Sequence, residues 1–183
     1  AAVLNQVIER KQDAQMVRTK GRPLVKGTIG SSSALFFGIM VGIIGVSFLF
    51  VTINALTALI SAATILLYVL VYTPSKRIST WNTIIGSIPG ALPPVGGWTA
   101  ATGNLDAPAW ILFGILFCWQ MPHFLAIAII YAKDYEKGGF KMLPTIYPES
   151  RRTSYVILFF IIALLVTSLG LYILKIAGIF YAI

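Results

Sequence analysis

"TIGSSSALFFGIMVGIIGVSFLFVTINALTALISAATILLYVLVYTP", residues 28 to 74, contains no Asp, Glu, Lys or Arg. It holds two apolar runs, 28 to 51 and 53 to 73, separated only by the region from Thr52 to Asn54. A hydrocarbon core about 30 Å thick takes roughly 20 apolar residues in a helix. The stretch therefore reads as a tight transmembrane hairpin, closed by Pro74. Three more apolar runs follow, at 83 to 101, 107 to 132 and 154 to 174. Membrane β-strands are about ten residues long and alternate in polarity, which these runs do not. The expected fold is an all-α polytopic membrane helix bundle with five complete spans. Partial helices are expected at each end, the second beginning near Lys175.

The rest of the composition agrees. The 183 residues have a mean hydropathy of +0.85 and only 11% charged residues, against about 25% in soluble domains. Residues 1 to 183 read as one integral-membrane domain, incomplete at both ends. The single Cys118 lies in an apolar run, so the chain has no pair of cysteines for an internal disulfide.

The placement of charge is more informative than the net value of +8. Arg10, Lys11, Arg18, Lys20, Arg22 and Lys26 precede the first span; Lys76 and Arg77 follow the second; Lys133, Lys137, Lys141, Arg151 and Arg152 lie between the fourth and fifth. Two spans separate each group from the next, so all of these fall on one face and only Lys175 on the other. The positive-inside rule makes that face cytoplasmic. Topology thus accounts for much of the basic charge and argues against a soluble nucleic-acid binder.

Acids contribute little to orientation, yet Glu9, Asp13, Asp134, Glu136 and Glu149 share the same face. Asn5, Glu9 and Asp13 are four residues apart, which on a helix stacks them along one side about 6 Å apart. Such a stripe supplies oxygen ligands, and Mg²⁺ is commonly held by one or two carboxylates, with waters and phosphates completing its shell. Arg18, Lys20 and Arg22 follow, with Pro23 ending the segment, and guanidinium forks suit phosphate oxygens. The competing reading is a solvated juxtamembrane helix. A second loop, "YAKDYEKGGFKMLP" at 131 to 144, repeats the recipe: Asp134 and Glu136 lie among Lys133, Lys137 and Lys141. Gly138 and Gly139 allow a turn and close backbone approach. Two such loops on one face suggest a single site built from both.

Inside the fourth run, "CWQMPHFLAIA" at 118 to 128 carries Gln120 and His123. Polar residues within a membrane helix are functional candidates by default. His123 reads either as a packing group or as a substrate-facing one, and Pro122 can kink the helix. "GSIPGALPPVGGW", 86 to 98, is expected to interrupt helical regularity in the third span. Asn82 reads as a site contact or a helix cap. A cation transporter is a further reading, but mid-membrane carboxylates would favour it and none of the five runs contains one.

At these residues the chain resembles the UbiA superfamily of intramembrane aromatic prenyltransferases. Asn5, Glu9, Asp13, Met16, Arg18, Thr19, Arg22 and Gly27 fit the spacing of its first signature. Glu9 stands where Asp is usual, and Gln12 occupies a commonly apolar position. "YTPSKRISTWNTIIGSIPGALPPVGGW", "WQMPHFLAIAIIYAKDYEKGGF" and "KMLPTIYP" look like the branch that farnesylates heme, across nearly the whole chain. The paired aspartates usual in the second motif of quinone-pathway members are absent from this one.

The resemblance implies transfer of a farnesyl group from farnesyl diphosphate to a vinyl group of heme B, with water added, to give heme O. It implies a bacterial cytoplasmic membrane and a link to terminal oxidase assembly and heme A synthesis. A quinone precursor or a tetrapyrrole alcohol ester is the alternative acceptor. By this analogy Asn5, Glu9 and Asp13 bind Mg²⁺-diphosphate, with Mn²⁺ as the alternative metal and Asp134 completing the site. Arg18, Arg22, Lys76, Arg77 and Lys141 grip phosphate oxygens or heme propionates. Asn82 and Gln120 contact substrate, and His123 orients heme or manages a proton beside the catalytic Asp13 and Asp134.

Overall fold

The computed structural model of the chain describes residues 1–148, 150–178 and 181. It is an all-α bundle. Short helices α1 (Ala2–Ile8), α2 (Arg10–Asp13) and α3 (Pro23–Lys26) lead into α4 (Ser31–Thr52). The second span runs from Ala55 to Ile78 as α5 (Ala55–Leu66), a π-helical segment (Leu67–Tyr72) and α6 (Thr73–Ile78). Then come α7 (Asn82–Thr102), α8 (Ala107–Ile130), α9 (Ala132–Lys137), α10 (Leu143–Ile146) and α11 (Arg152–Ile173).

The hairpin forms where expected. Asn54 caps α5 by accepting from the Thr57 amide at 2.8 Å, and its Nδ2 donates to the Thr99 carbonyl at 2.9 Å. Thr57 and Thr99 hydroxyls meet at 3.0 Å. One end of α4–α5 is thereby tied to the end of α7.

All five expected runs are helices of spanning length, but only four are apolar enough to cross a membrane by composition; α7 is not among them. Its polarity is internal. It packs between the second span and α8, burying Asn82, Thr83, Ser87 and Thr99. By contrast α4 and α11 turn Phe36, Ile43, Val51, Leu158 and Phe159 outward, as lipid-facing helices do.

Two expectations about irregular backbone are corrected. Helix α7 continues through Pro89, Pro93 and Pro94, because packed neighbours sustain a helix whose hydrogen bonds proline has removed. The irregularity falls instead ahead of Pro74, which does not end the second helix. Proline has no N–H, and its ring crowds the carbonyl four residues back. The π segment precedes it, and the Thr73 hydroxyl donates to the Tyr68 carbonyl at 2.9 Å. Likewise Pro23 opens α3 rather than closing a segment. At the other end, Leu174 to Ala177 form turns and bends, so the helix expected near Lys175 does not begin before Gly178; residues 179, 180, 182 and 183, and Glu149, lie outside the described residues.

Two contacts set the helix spacing around the centre. The Tyr72 ring lies where a Cβ on Gly86 would stand, and the Gln120 amide oxygen where a Cβ on Gly90 would. Glycine at both positions lets α7 approach its neighbours closely.

Candidate active site

The polar residues singled out in the two loops converge at one end of the bundle, around α1, α2, α6, the start of α7 and the end of α8. The stripe Asn5–Glu9–Asp13 forms. Although α1 and α2 are divided at Glu9 (φ −93°, ψ 9°), the Glu9 amide donates to Asn5 O and the Asp13 amide to Glu9 O, both at 2.8 Å. These bonds keep helical register across the break. All three side chains are buried, with 8%, 3% and 1% of their surface exposed. A solvated juxtamembrane face is thereby excluded for this stripe.

Each member has a partner. Asn5 Nδ2 donates to Thr73 Oγ1 at 3.1 Å. Lys76 Nζ donates to Glu9 Oε2 at 3.0 Å and lies 2.9 Å from Oε1, which completes no hydrogen bond of good geometry. Arg22 Nη1 donates to Asp13 Oδ2 at 2.6 Å, and Thr19 Oγ1 to the Asp13 carbonyl at 2.9 Å. The Lys76 ammonium also faces the Tyr72 ring, 4.6 Å from its centre, and the Phe140 ring at 5.7 Å. Two buried carboxylates are thus each neutralised by a basic side chain from elsewhere in the sequence. Charges this buried persist when paired and hydrogen-bonded.

The second loop meets the first directly. Asp134 accepts from the backbone amides of Arg18 at 3.0 Å and Val17 at 3.3 Å. Those bonds hold its carboxyl below the usual carboxylate range, the Arg18 amide contributing most. The Arg18 guanidinium lies 5.2 Å from the Tyr131 ring centre and 5.9 Å from that of Tyr135. Met16, Ala128, Phe140 and Met142 form a buried cluster beneath, with Tyr135 packed against it. Burial raises the Tyr135 phenol above its ordinary range, so at neutral pH it is uncharged beside Arg18. The Gly–Gly pair acts as expected. A Cβ on Gly138 would stand 3.1 Å from Met16 Sδ, and Gly139 takes the left-handed conformation, φ +70°.

Several candidates stand apart from the stripe. Asp134 spends its oxygens on backbone amides, and among the described residues no three His, Cys, Asp or Glu side chains gather closely enough to hold a metal. Gln120 is buried at the α7–α8 contact and donates to the Leu116 carbonyl at 3.1 Å. His123 lies on an exposed stripe of α8, nearly opposite the buried Met121 and Leu125, stacked on Trp119 with ring centres 4.9 Å apart. Asn82 neither caps α7 nor faces the stripe. Its Nδ2 donates to the carbonyls of Ser79 at 2.6 Å and Lys141 at 2.8 Å. Arg77 and the Lys141 side chain are exposed, while the Lys141 amide donates to Lys76 O at 2.7 Å. Thr73, Tyr131 and Tyr135 are site residues that sequence reasoning passed over. The tyrosines, four apart beside Asp134, carried the only readable signal.

The donor set suits a hard divalent cation. Two carboxylates and an amide on one stripe, with one buried carboxylate oxygen lacking a well-formed hydrogen bond, are oxygen donors of the kind such a cation takes. Apolar grooves lie elsewhere, along α4. One of 580 Å³ is bounded by Val3, Phe37, Gly38, Gly42 and Ile65.

The chain is 44% identical over 182 residues to "Protoheme IX farnesyltransferase" of Solibacter usitatus, covering 100% of this chain and 62% of that protein. It is 47% identical over 144 residues to the protein of that name in Sorangium cellulosum, covering 79% of this chain and 51% of that one. The mitochondrial human protein of that name is 46% identical over 145 residues, 79% of this chain and 33% of that one. The chain therefore spans about three fifths or less of these relatives' length. No solved structure matches it. The description "UbiA prenyltransferase family" matches residues 1–183, and the chain, an integral-membrane helix bundle, belongs to that family.

Proposed function

We propose that the protein containing this chain transfers a farnesyl group from farnesyl diphosphate to a vinyl group of heme B, with addition of water, giving heme O. The observation that carries the reading is the buried stripe Asn5–Glu9–Asp13 with Arg22 and Lys76 drawn onto it. Family membership and the names of the relatives support donor and acceptor.

In this reading Asn5, Glu9 and Asp13 hold Mg²⁺, or Mn²⁺, with the substrate diphosphate. When bound, the metal supplies charge that stabilises the departing diphosphate. The chain's own residues do the rest. Arg22 and Lys76 shift hydrogen bonds from carboxylate to phosphate oxygens, since both already lie at the stripe. Arg18 and Arg77, exposed at the same end, meet the diphosphate or heme propionates. The apolar bundle keeps bulk water from the allylic carbocation left behind. The loops face the cytoplasm by the positive-inside rule, in a bacterial inner membrane, and the product feeds heme A synthesis and terminal oxidase assembly. His123, exposed and stacked on Trp119, serves the heme side of the reaction.

The test is a product assay. Membranes carrying the full-length protein are incubated with heme B, farnesyl diphosphate and Mg²⁺, with an EDTA control, and the hemes are separated with mass detection. A metal-dependent heme heavier by one farnesyl group plus water is expected. Transfer to a phenolic acceptor instead would move the protein to a quinone pathway; no transfer to any acceptor would overturn the reading.

A further inference from the structure

We infer that Asp134 is a clasp between the two loops, a positioning residue that sets Asp13 and Arg22 through the backbone. The clasp stands on geometry alone; its consequence for turnover rests on the function proposed above.

Residues 14 to 22 form no regular helix. Several amides of the segment find acceptors inside the turn or across to the second loop. Within it, Thr19 N and Lys20 N reach Met16 O, and Arg22 N reaches Thr19 O. For Val17 N and Arg18 N, the acceptor among the described residues is Asp134, more than a hundred positions away in sequence. One carboxylate receives both, Oδ1 from Val17 and Oδ2 from Arg18. Hydrogen bonds to a charged acceptor are the stronger kind.

Three more contacts fix the same junction. Arg18 lays its guanidinium over Tyr131 and Tyr135, which flank Asp134. Met16 is buried against Gly138, where no larger residue fits without displacing it. Tyr135 packs on the Met16 cluster. From this junction the turn runs directly to the stripe, since Thr19 donates to the Asp13 carbonyl and Arg22 to its carboxylate. Releasing Asp134 frees the turn that carries both Thr19 and Arg22.

The experiment uses the full-length protein in detergent with Asp134→Ala, Asp134→Asn and, as a control, Glu136→Gln, an exposed acid two residues on. Three quantities are read: tryptic cleavage after Arg18 and Lys20 without metal or substrate, global melting temperature, and Mn²⁺ affinity by electron paramagnetic resonance. Losing two charge-assisted bonds should speed cleavage by about tenfold or more in Asp134→Ala. Asp134→Asn keeps one carbonyl acceptor and should fall between, and Glu136→Gln should match the parent. Melting temperature should stay near the parental value, and any loss of Mn²⁺ affinity should accompany the faster cleavage. Unchanged cleavage in both variants would overturn the clasp. So would a loss of Mn²⁺ affinity with the turn still protected, the signature of a ligand. If the parent binds no Mn²⁺, the metal reading fails while cleavage still decides the clasp.

Discussion

Lys76, at the end of the second span, holds both oxygens of Glu9 within 3.0 Å although the two residues are 67 positions apart. Both side chains are nearly sequestered, at 11% and 4% exposure, so this is a buried pair and not a surface one. Removing one partner of such a pair strands a charge, which costs about 3–5 kcal/mol. Lys76→Met should therefore lower the melting temperature markedly. Lys76→Met with Glu9→Gln should recover most of the loss, because neither charge is then left alone. Thermal denaturation of the four proteins in one detergent decides it: additive losses would mean that the pair is not coupled.

Gly90 has no room for a side chain, since the Gln120 amide oxygen occupies the place. Gly90→Ala should destabilise the bundle by about 1–3 kcal/mol, the usual cost of overpacking. Gln120→Ala in the same chain should relieve much of it. If Gln120 were instead a substrate contact, Gly90→Ala would be tolerated and Gln120→Ala would act on the Michaelis constant alone. Melting curves and steady-state kinetics on the same preparations separate these outcomes.

The Asp134 carboxyl is held below its ordinary range in the folded protein, first by the Arg18 amide. A group with a depressed folded-state pKa stabilises the structure fully above its unfolded value and loses that contribution as pH falls through the folded one. Protection of residues 14 to 22 should thus be flat from about pH 8 to 5 and decline only below the usual carboxylate range. Asp134→Asn should abolish that acid-side decline. Hydrogen exchange of this segment, referenced to the variant at each pH, reads the difference.

Much of this was legible in the chain before any coordinates. The spans followed from apolar length, and the stripe from spacing of four, because both depend on local geometry alone. The Pro-rich third helix was misread for a physical reason: proline breaks a helix in isolation, whereas α7 is supported on two sides by the second span and α8. The roles of Lys76, Arg22 and Asp134 were hidden for another. Lys76 and Asp134 are decided by partners distant in sequence, Arg22 by an acid nine positions back, and a cation beside acids reads equally as a phosphate ligand or as their counter-ion. Nothing local told Gln120, buried against Gly90, from His123, exposed against Trp119.

Asn82 provides the last test, because its two readings predict different observables. Its amide bridges the Ser79 and Lys141 carbonyls while the residue itself is 1% exposed. Leaving a buried carbonyl without its donor costs about 1–3 kcal/mol. Asn82→Ala should therefore lower the melting temperature and loosen residues 138 to 142. The Lys141 amide would still hold Lys76 O at 2.7 Å, so the loosening should stay local. Farnesyl diphosphate affinity should change little in the fraction that remains folded. Faster hydrogen exchange at 138 to 142 with an unaltered Michaelis constant would support the bridge; a raised Michaelis constant with unchanged exchange would make Asn82 a substrate contact.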